Sequence, residues 1–235
     1  MKVVTVSNRI PTEPYYCWHA FMESLRRFHY TPIVLGLGEP WNGLMTPPRK
    51  MRDWLRNGNA TDEIIIMCDS WDLVFADSPD AIEEEFKNLT STRLLWNAEK
   101  TQWPDTGLNF PDVGTPYRYL NSGFVVGYAS TLLKVIDMMN IDAIPDDHTN
   151  AAGVRVEPNH QEYFQRIYVE NPALMAIDRS ATICQALHAV EPDELDLTGN
   201  QIQNTITKSY PMVFHMNGTK ETWRDKILTK LELPL

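Results

Sequence analysis

"IIIMCDSWDLVFA", residues 64–76, decides how this chain is read. Five apolar residues, Ile64 to Cys68, stop at Asp69; Ser70 and Trp71 follow, then a second carboxylate at Asp72, then apolar chain again. A short apolar run bounded by polar residues predicts a strand buried on both faces. Two carboxylates at its end repel each other and lose hydration, so they call for a cation or a basic partner. Oxygen ligands suit Mg²⁺ or Mn²⁺, which leave positions open for substrate phosphates. The plainer alternative is a turn, with Asp69 capping its own backbone and Asp72 facing solvent.

Outward from this stretch, strands and helices alternate. Val3–Val6 and Pro32–Leu35 predict strands, with a helix between them over 15–28 that places Trp18, Phe21, Met22 and Leu25 at helical spacing. Residues 48–57 predict a helix stopped by Gly58, and Ser78-Pro79-Asp80 starts another, carrying Ile82, Phe86 and Leu89. Further strands are expected at 93–96, 124–128 and 210–215, and further helices at 131–139, 161–168 and 219–233. Residues 101–118 read as a long loop and 140–160 as a polar, irregular flap. The alternation predicts one α/β domain over 1–235 with a largely parallel sheet, whose ligands gather beyond the carboxyl ends of the strands.

Composition narrows the partners. The 235 residues are 43% hydrophobic, enough for a substantial core, and the formal net charge of −10 argues against a general phosphate-binding surface. Cys17, Cys68 and Cys184 are widely spaced and form neither a disulfide framework nor a zinc-ligand pattern. The opening MKVVTVSNRIPTEP has too short an apolar run for a signal-peptide core, and no stretch suggests a membrane span. A cytoplasmic protein without a membrane partner is expected.

A second strand end strengthens the cation reading. In "FHMNGTK", residues 214–220, His215 offers an imidazole nitrogen, Asn217 and Gly218 offer amides to an anion, and Lys220 offers a positive charge. Taken alone, His215 reads sooner as a core histidine before an Asn-Gly turn. "GLGEPWNG", residues 36–43, begins a G-x-G but carries Trp41 where the dinucleotide fingerprint needs glycine. Trp41 either covers a nucleotide base or packs in the core.

Together these segments resemble a known family. "VLGLGEPWNG", "MCDSWDLVFADSP", "QWPD", "RYLNSGFVVGYAS", "QEYFQRIY", "ID" then "ICQALH", and "HMNGTK" are similar, in order, to the glycosyltransferase domain of the procollagen lysyl hydroxylases and its viral and bacterial relatives. The iron-dependent hydroxylase half has no counterpart. The resemblance implies a GT-A, Rossmann-like fold with a mixed, mostly parallel central sheet flanked by helices. It also implies a UDP-sugar donor, glucose or galactose foremost, used with Mn²⁺ (or Mg²⁺) and a hydroxyl acceptor on a peptide, glycan or modified base.

On the same resemblance, Asp69 and Asp72 match the metal-binding acids and His215 the third protein ligand. Trp71 takes the aromatic position near the nucleoside, Trp41 a place in the donor pocket, and Val6 and Asn8 lie near the uridine contacts. Asn217, Gly218 and Lys220 match residues that hold the diphosphate. Trp103, Asn121 and Ser122 match the sugar side. The chain departs from the family before its "QEYF" helix, where a run of aspartates is replaced by "EPNHQEYF". Asn159 and His160 stand in place of the acids, and Asp146 and Asp147 lie upstream. The catalytic candidates are therefore Lys220, His160, Asp146 and Asp147. A phosphohydrolase of the haloacid-dehalogenase type would need its second aspartate where Trp71 stands; a non-catalytic nucleotide-sugar-binding module needs no base at all.

Overall fold

The computed structural model describes residues 1–13, 16–149, 152–218 and 223–235. In chain order its strands and helices are β1 (Lys2–Val6), α1 (Trp18–Arg27), β2 (Thr31–Leu35), α2 (Thr46–Trp54), β3 (Ile64–Cys68), β4 (Leu73–Phe75), α3 (Pro79–Leu89) and β5 (Leu94–Glu99). There follow β6 (Tyr119–Tyr128), α4 (Ala129–Met138), β7 (His148–Thr149), β8 (Arg155–Val156), α5 (His160–Glu170), β9 (Ala176–Ile177) and β10 (Cys184–Ala186). The last are β11 (Leu195–Asp196), β12 (Gln203–Asn204), β13 (Val213–His215) and α6 (Arg224–Lys230).

The main sheet runs β2-β1-β3-β6-β5-β10-β13-β4, with β9 beside β5. Strand β1 is parallel to β2 and β3, and β10 is parallel to β5 and β13, as β9 is to β5. Only β6, against β3 and β5, and β4, against β13, run antiparallel among these described strands. The mixed, mostly parallel sheet flanked by helices is the α/β architecture expected of a GT-A domain.

Strand β3 is buried along its whole length, as its unbroken apolar run requires. Its side chains alternate between two cores. Ile65 and Met67 join Met51 of α2, Leu132 and Ile136 of α4 and Phe164 of α5. Ile64, Ile66 and Cys68 join Phe21 and Leu25 of α1 and Ile82 and Phe86 of α3. Three helices therefore cover one face and two the other. A third cluster closes the β13–β4 end, where Val74 and Phe214 meet Trp223 and Ile227 beside α6. No helix among the described residues is long and apolar enough to cross a membrane.

Local chemistry sets the helix starts. The Ser78 hydroxyl accepts from the Ala81 N–H ahead of Pro79, and the Asn159 side chain accepts from the Gln161 N–H at 3.0 Å. Helix α2 runs into a wide turn, Leu55–Asn59, where Gly58 takes φ +86°. Residues 101–118 carry neither helix nor strand, as expected. The expected irregular flap holds a short 3₁₀ turn at Ile141–Ala143 and the β7–β8 hairpin. The C-terminal helix is described over Arg224–Lys230, while residues 219–222, including Lys220, lie outside the described residues.

Candidate donor and metal site

The acidic turn is tied to three separate parts of the chain by its own backbone. The Asp69 N–H donates to Gly123 O at 2.8 Å, Trp71 O accepts from the Cys17 N–H at 2.6 Å, and Asp72 O accepts from the Met216 N–H at 2.7 Å. Strand β13 pairs with β4 so that His215 lies opposite Leu73, next to Asp72. His215 Nε2 consequently lies 3.5 Å from Asp72 Oδ1 and 3.7 Å from Asp69 Oδ2. The two predicted strand ends meet at one point.

These three residues fit a divalent cation. One ligand atom from each lies within 4.8 Å of the others. Donors placed ~2.1 Å from an octahedral ion stand about 3–4 Å apart, so small shifts close the set. His215 is 2% exposed, and its Nε2 makes no hydrogen bond. An unmet buried nitrogen aimed at two carboxylates is what a missing ligand partner leaves. Gly123 keeps the space open: a Cβ there would come 2.2 Å from His215 Cε1.

The charges respond to this crowding. Desolvation within the crowded cluster, together with the Asp72 charge, pushes Asp69 up to about 7, although half of its side chain stays exposed. Burial pulls His215 down, but Asp72, Asp69 and Glu99 outweigh it and leave the imidazole above its ordinary value. Glu99, 2% exposed, is raised by burial to about 6 against hydrogen bonds from Asn121, Gln161 and Asn217.

A cavity of about 470 Å³ opens over the acids, and Val6, Asn8, Trp41, Asp69, Trp71 and Asp72 all line it, with Arg9, Tyr16 and Arg224. Trp71 is held in place: its Nε1–H donates to Ser7 Oγ at 2.9 Å, and that hydroxyl donates to Arg9 O at 2.6 Å. Tyr16 lies against the indole at 4.6 Å between ring centres, and the Arg9 guanidinium stands 4.8 Å from it.

A second group of predicted residues is gathered by one buried amide, Gln161. Its Oε1 accepts from the Ser122 N–H at 2.8 Å and hydroxyl at 3.0 Å. Its Nε2 donates to Glu99 Oε1 at 2.9 Å and to Trp103 O. Asn217 Nδ2 donates to Glu99 Oε2 at 2.9 Å, while its Oδ1 accepts from the Leu187 and His188 N–H groups. The Trp103 ring stays half exposed. Gly218 takes φ +67°, and a Cβ there would press on the His188 ring at 2.6 Å.

Glu99 is the residue that sequence reasoning missed. Strand β5 was expected to end at Trp96, whereas it continues to Glu99. A carboxylate three residues beyond an apolar run carried no further signal, although it lies four residues before Trp103.

The upstream candidates are not among the clustered ligands. Asp146 pairs with Arg49, and Asp147 with Arg155 at 2.6 Å. The Asp147 carboxylate also rests on Gly43, where φ is +82° and no Cβ would fit. His160 Nδ1 faces Leu44 O and its ring meets the edge of Phe164. Burial lowers His160 to about 4, partly opposed by the Leu44 carbonyl.

The PLOD GT domain family matches residues 1–228. The chain is 30% identical over 236 residues to the human multifunctional procollagen lysine hydroxylase and glycosyltransferase LH3, covering 92% of this chain and 29% of that protein. The Caenorhabditis elegans multifunctional procollagen lysine hydroxylase and glycosyltransferase is 30% identical over 221 residues, covering 86% and 28%. Protein R699 of Acanthamoeba polyphaga mimivirus is 27% identical over 210 residues, covering 85% and 42%. The chain thus spans under a third of the two animal proteins. The apo structure of mouse xyloside xylosyltransferase 1 overlays with a TM-score of 0.49 at 12% identity, over 94% of this chain and 99% of that one.

Proposed function

The chain belongs to the PLOD GT domain family, and from that premise we propose that it transfers a hexose from a UDP-sugar to a hydroxyl acceptor. Glucose and galactose are the foremost donor sugars, and the acceptor hydroxyl belongs to a peptide, a glycan or a modified base. The observation that carries this reading is the convergence of Asp69, Asp72 and His215 beneath a cavity lined by Trp41 and Trp71. Asp69, Asp72 and His215 would hold Mn²⁺, with Mg²⁺ as the alternative. A bound divalent ion would supply positive charge against the leaving diphosphate.

The chain's own residues do the rest. Trp71, fixed through Ser7, offers an apolar wall to the nucleoside, with Val6 and Asn8 at the end of β1 beside it. Lys220, two residues after Gly218 in the sequence, would add charge at the diphosphate. Gln161 holds Ser122, Glu99 and the Trp103 carbonyl in one rigid group, which positions the sugar side. Asn121 belongs to the same side through its contact with Glu99.

A second reading, donor binding without transfer, has one observation in its favour. Asn159 is engaged as the cap of α5 and His160 with the Leu44 carbonyl, at the positions where the resemblance implies acids. A panel of UDP-hexoses with Mn²⁺, followed by UDP and phosphate release, separates the readings. Slow, chelator-sensitive UDP release supports transfer chemistry. UDP binding with no release supports a binding module, and release of inorganic phosphate alone supports a phosphohydrolase.

A further inference from the structure

His215 can ligate a cation through Nε2 only if its neutral ring carries the proton on Nδ1. At 2% exposure that Nδ1–H needs an acceptor inside the protein. The group facing Nδ1 is the amide of Asn97, 3.4 Å away, with its Nδ2 toward the ring. Two donors would then meet. The same amide holds the remedy, because Asn97 Oδ1 is buried with no hydrogen-bond partner.

Asn97 is wholly buried, and the β5–β6 pairing shifts register between Trp96 and Asn97. Such a bulge re-aims a side chain out of the regular ladder. The two ends of an amide have nearly the same shape, so turning it over needs no extra volume. The turn exchanges two long Nδ2 contacts, 3.4 Å to His215 Nδ1 and 3.5 Å to Asn121 Oδ1, for a hydrogen bond accepted from the ring. Asn121 Oδ1 stays in place, since it accepts from the Gly123 N–H at 2.9 Å.

We propose that Asn97 is the positioning residue of the metal site, its amide turned so that Oδ1 accepts from His215 Nδ1–H. Nε2 then keeps its lone pair for a cation, and the turned amide fixes the ring. The inference rests on reading Asp69, Asp72 and His215 as a divalent-metal site.

Two measurements test it with the intact chain. In calorimetry with Mn²⁺ alone, Asn97→Leu weakens binding by about 10–100-fold, the usual cost of losing a ligand's hydrogen-bond partner. Asn97→Asp restores most of the loss, because a carboxylate accepts in either orientation. Equal binding by wild type and Asn97→Leu overturns the inference while leaving the metal site standing. Loss in Asn97→Leu without recovery in Asn97→Asp overturns it too, reducing Asn97 to packing. Absence of Mn²⁺ binding in wild type removes both the site and the inference. The second measurement needs no variant at position 97: ¹⁵N NMR of histidine-labelled wild type, with Zn²⁺ as a diamagnetic probe and His215→Gln to identify the resonance. The expected result on Zn²⁺ addition is an Nδ1–H ring bound through Nε2. An Nε2–H ring bound through Nδ1 overturns the inference.

Discussion

His215 and Asp72 are held together by a strand ladder. Strand β13 sets His215 opposite Leu73, and the Met216 N–H closes onto Asp72 O at 2.7 Å. The imidazole and the carboxylate thus meet through backbone register, and their side-chain atoms stand 3.5 Å apart as a result. A slip of one residue in that pairing would turn His215 to the other face of the sheet. The site is therefore as rigid as the sheet that carries it.

Gly123→Ala tests the space left for the ring. The new methyl would stand 2.2 Å from His215 Cε1 and 2.8 Å from Asp69 Oδ2, so the imidazole must move. Overpacking of this kind costs about 1–3 kcal/mol of stability. Mn²⁺ affinity measured by calorimetry should fall by at least about tenfold, the scale of a disturbed ligand set, while urea unfolding reports the stability loss. Unchanged metal affinity would place the cation elsewhere.

Metal binding should strengthen with pH. Asp69 holds its proton up to about 7, and a cation must displace that proton. Below that value, affinity should rise about tenfold per pH unit for each proton released. In metal-free protein the sign reverses. Glu99, buried and raised to about 6, keeps a proton that the unfolded chain has lost above its ordinary carboxylate value. Its contribution to stability is present at low pH and is lost as pH rises through about 6. Mn²⁺ titrations at pH 5.5, 6.5 and 7.5, each an arbitrary step of about one unit across this window, check the first claim. Flat affinity would contradict it.

The acidic limb of UDP-sugar hydrolysis should follow Glu99 and not His160. Glu99 sits near 6, whereas burial takes His160 down to about 4. His160 is thus neutral through the whole range in which an ordinary histidine titrates. Glu99→Gln should remove a limb near pH 6 from the pH–rate profile. His160→Gln should leave it in place. The reverse pattern would make His160 the titrating group.

Lys220→Met separates catalysis from binding. A cation beside the leaving diphosphate helps most as charge develops, so turnover should fall more than UDP-sugar affinity. Hydrolysis rates and calorimetry on the same variant make the comparison. A loss confined to binding would reduce Lys220 to a tether.

The acidic turn and the His-x-Asn-Gly strand end were legible because each couples an apolar run to chemistry in adjacent residues. The alternation of strands and helices was legible for the same reason: β3 is apolar throughout, and α1 and α3 bury residues at helical spacing. What joined the two strand ends was not. Strand β4 has only three residues, and its antiparallel pairing with β13 leaves no mark in the sequence. Strand β6 begins at Tyr119, well before the apolar run at Phe124, because Asn121 and Ser122 are polar residues buried inside a strand, Asn121 meeting Glu99 and Ser122 meeting Gln161. Glu99 escaped notice likewise: its burial depends on Gln161 and Asn217, which only the fold brings to it.

The central claim is that Asp69, Asp72 and His215 hold a cation that the donor nucleotide needs. Calorimetric titration of UDP into wild type and Asp72→Ala, each with Mn²⁺ and again with excess chelator, tests it most directly. The account predicts tight binding only for wild type with Mn²⁺, and a loss of at least about tenfold, or ~1.4 kcal/mol, in the other three titrations. Equal UDP affinity in all four would contradict it.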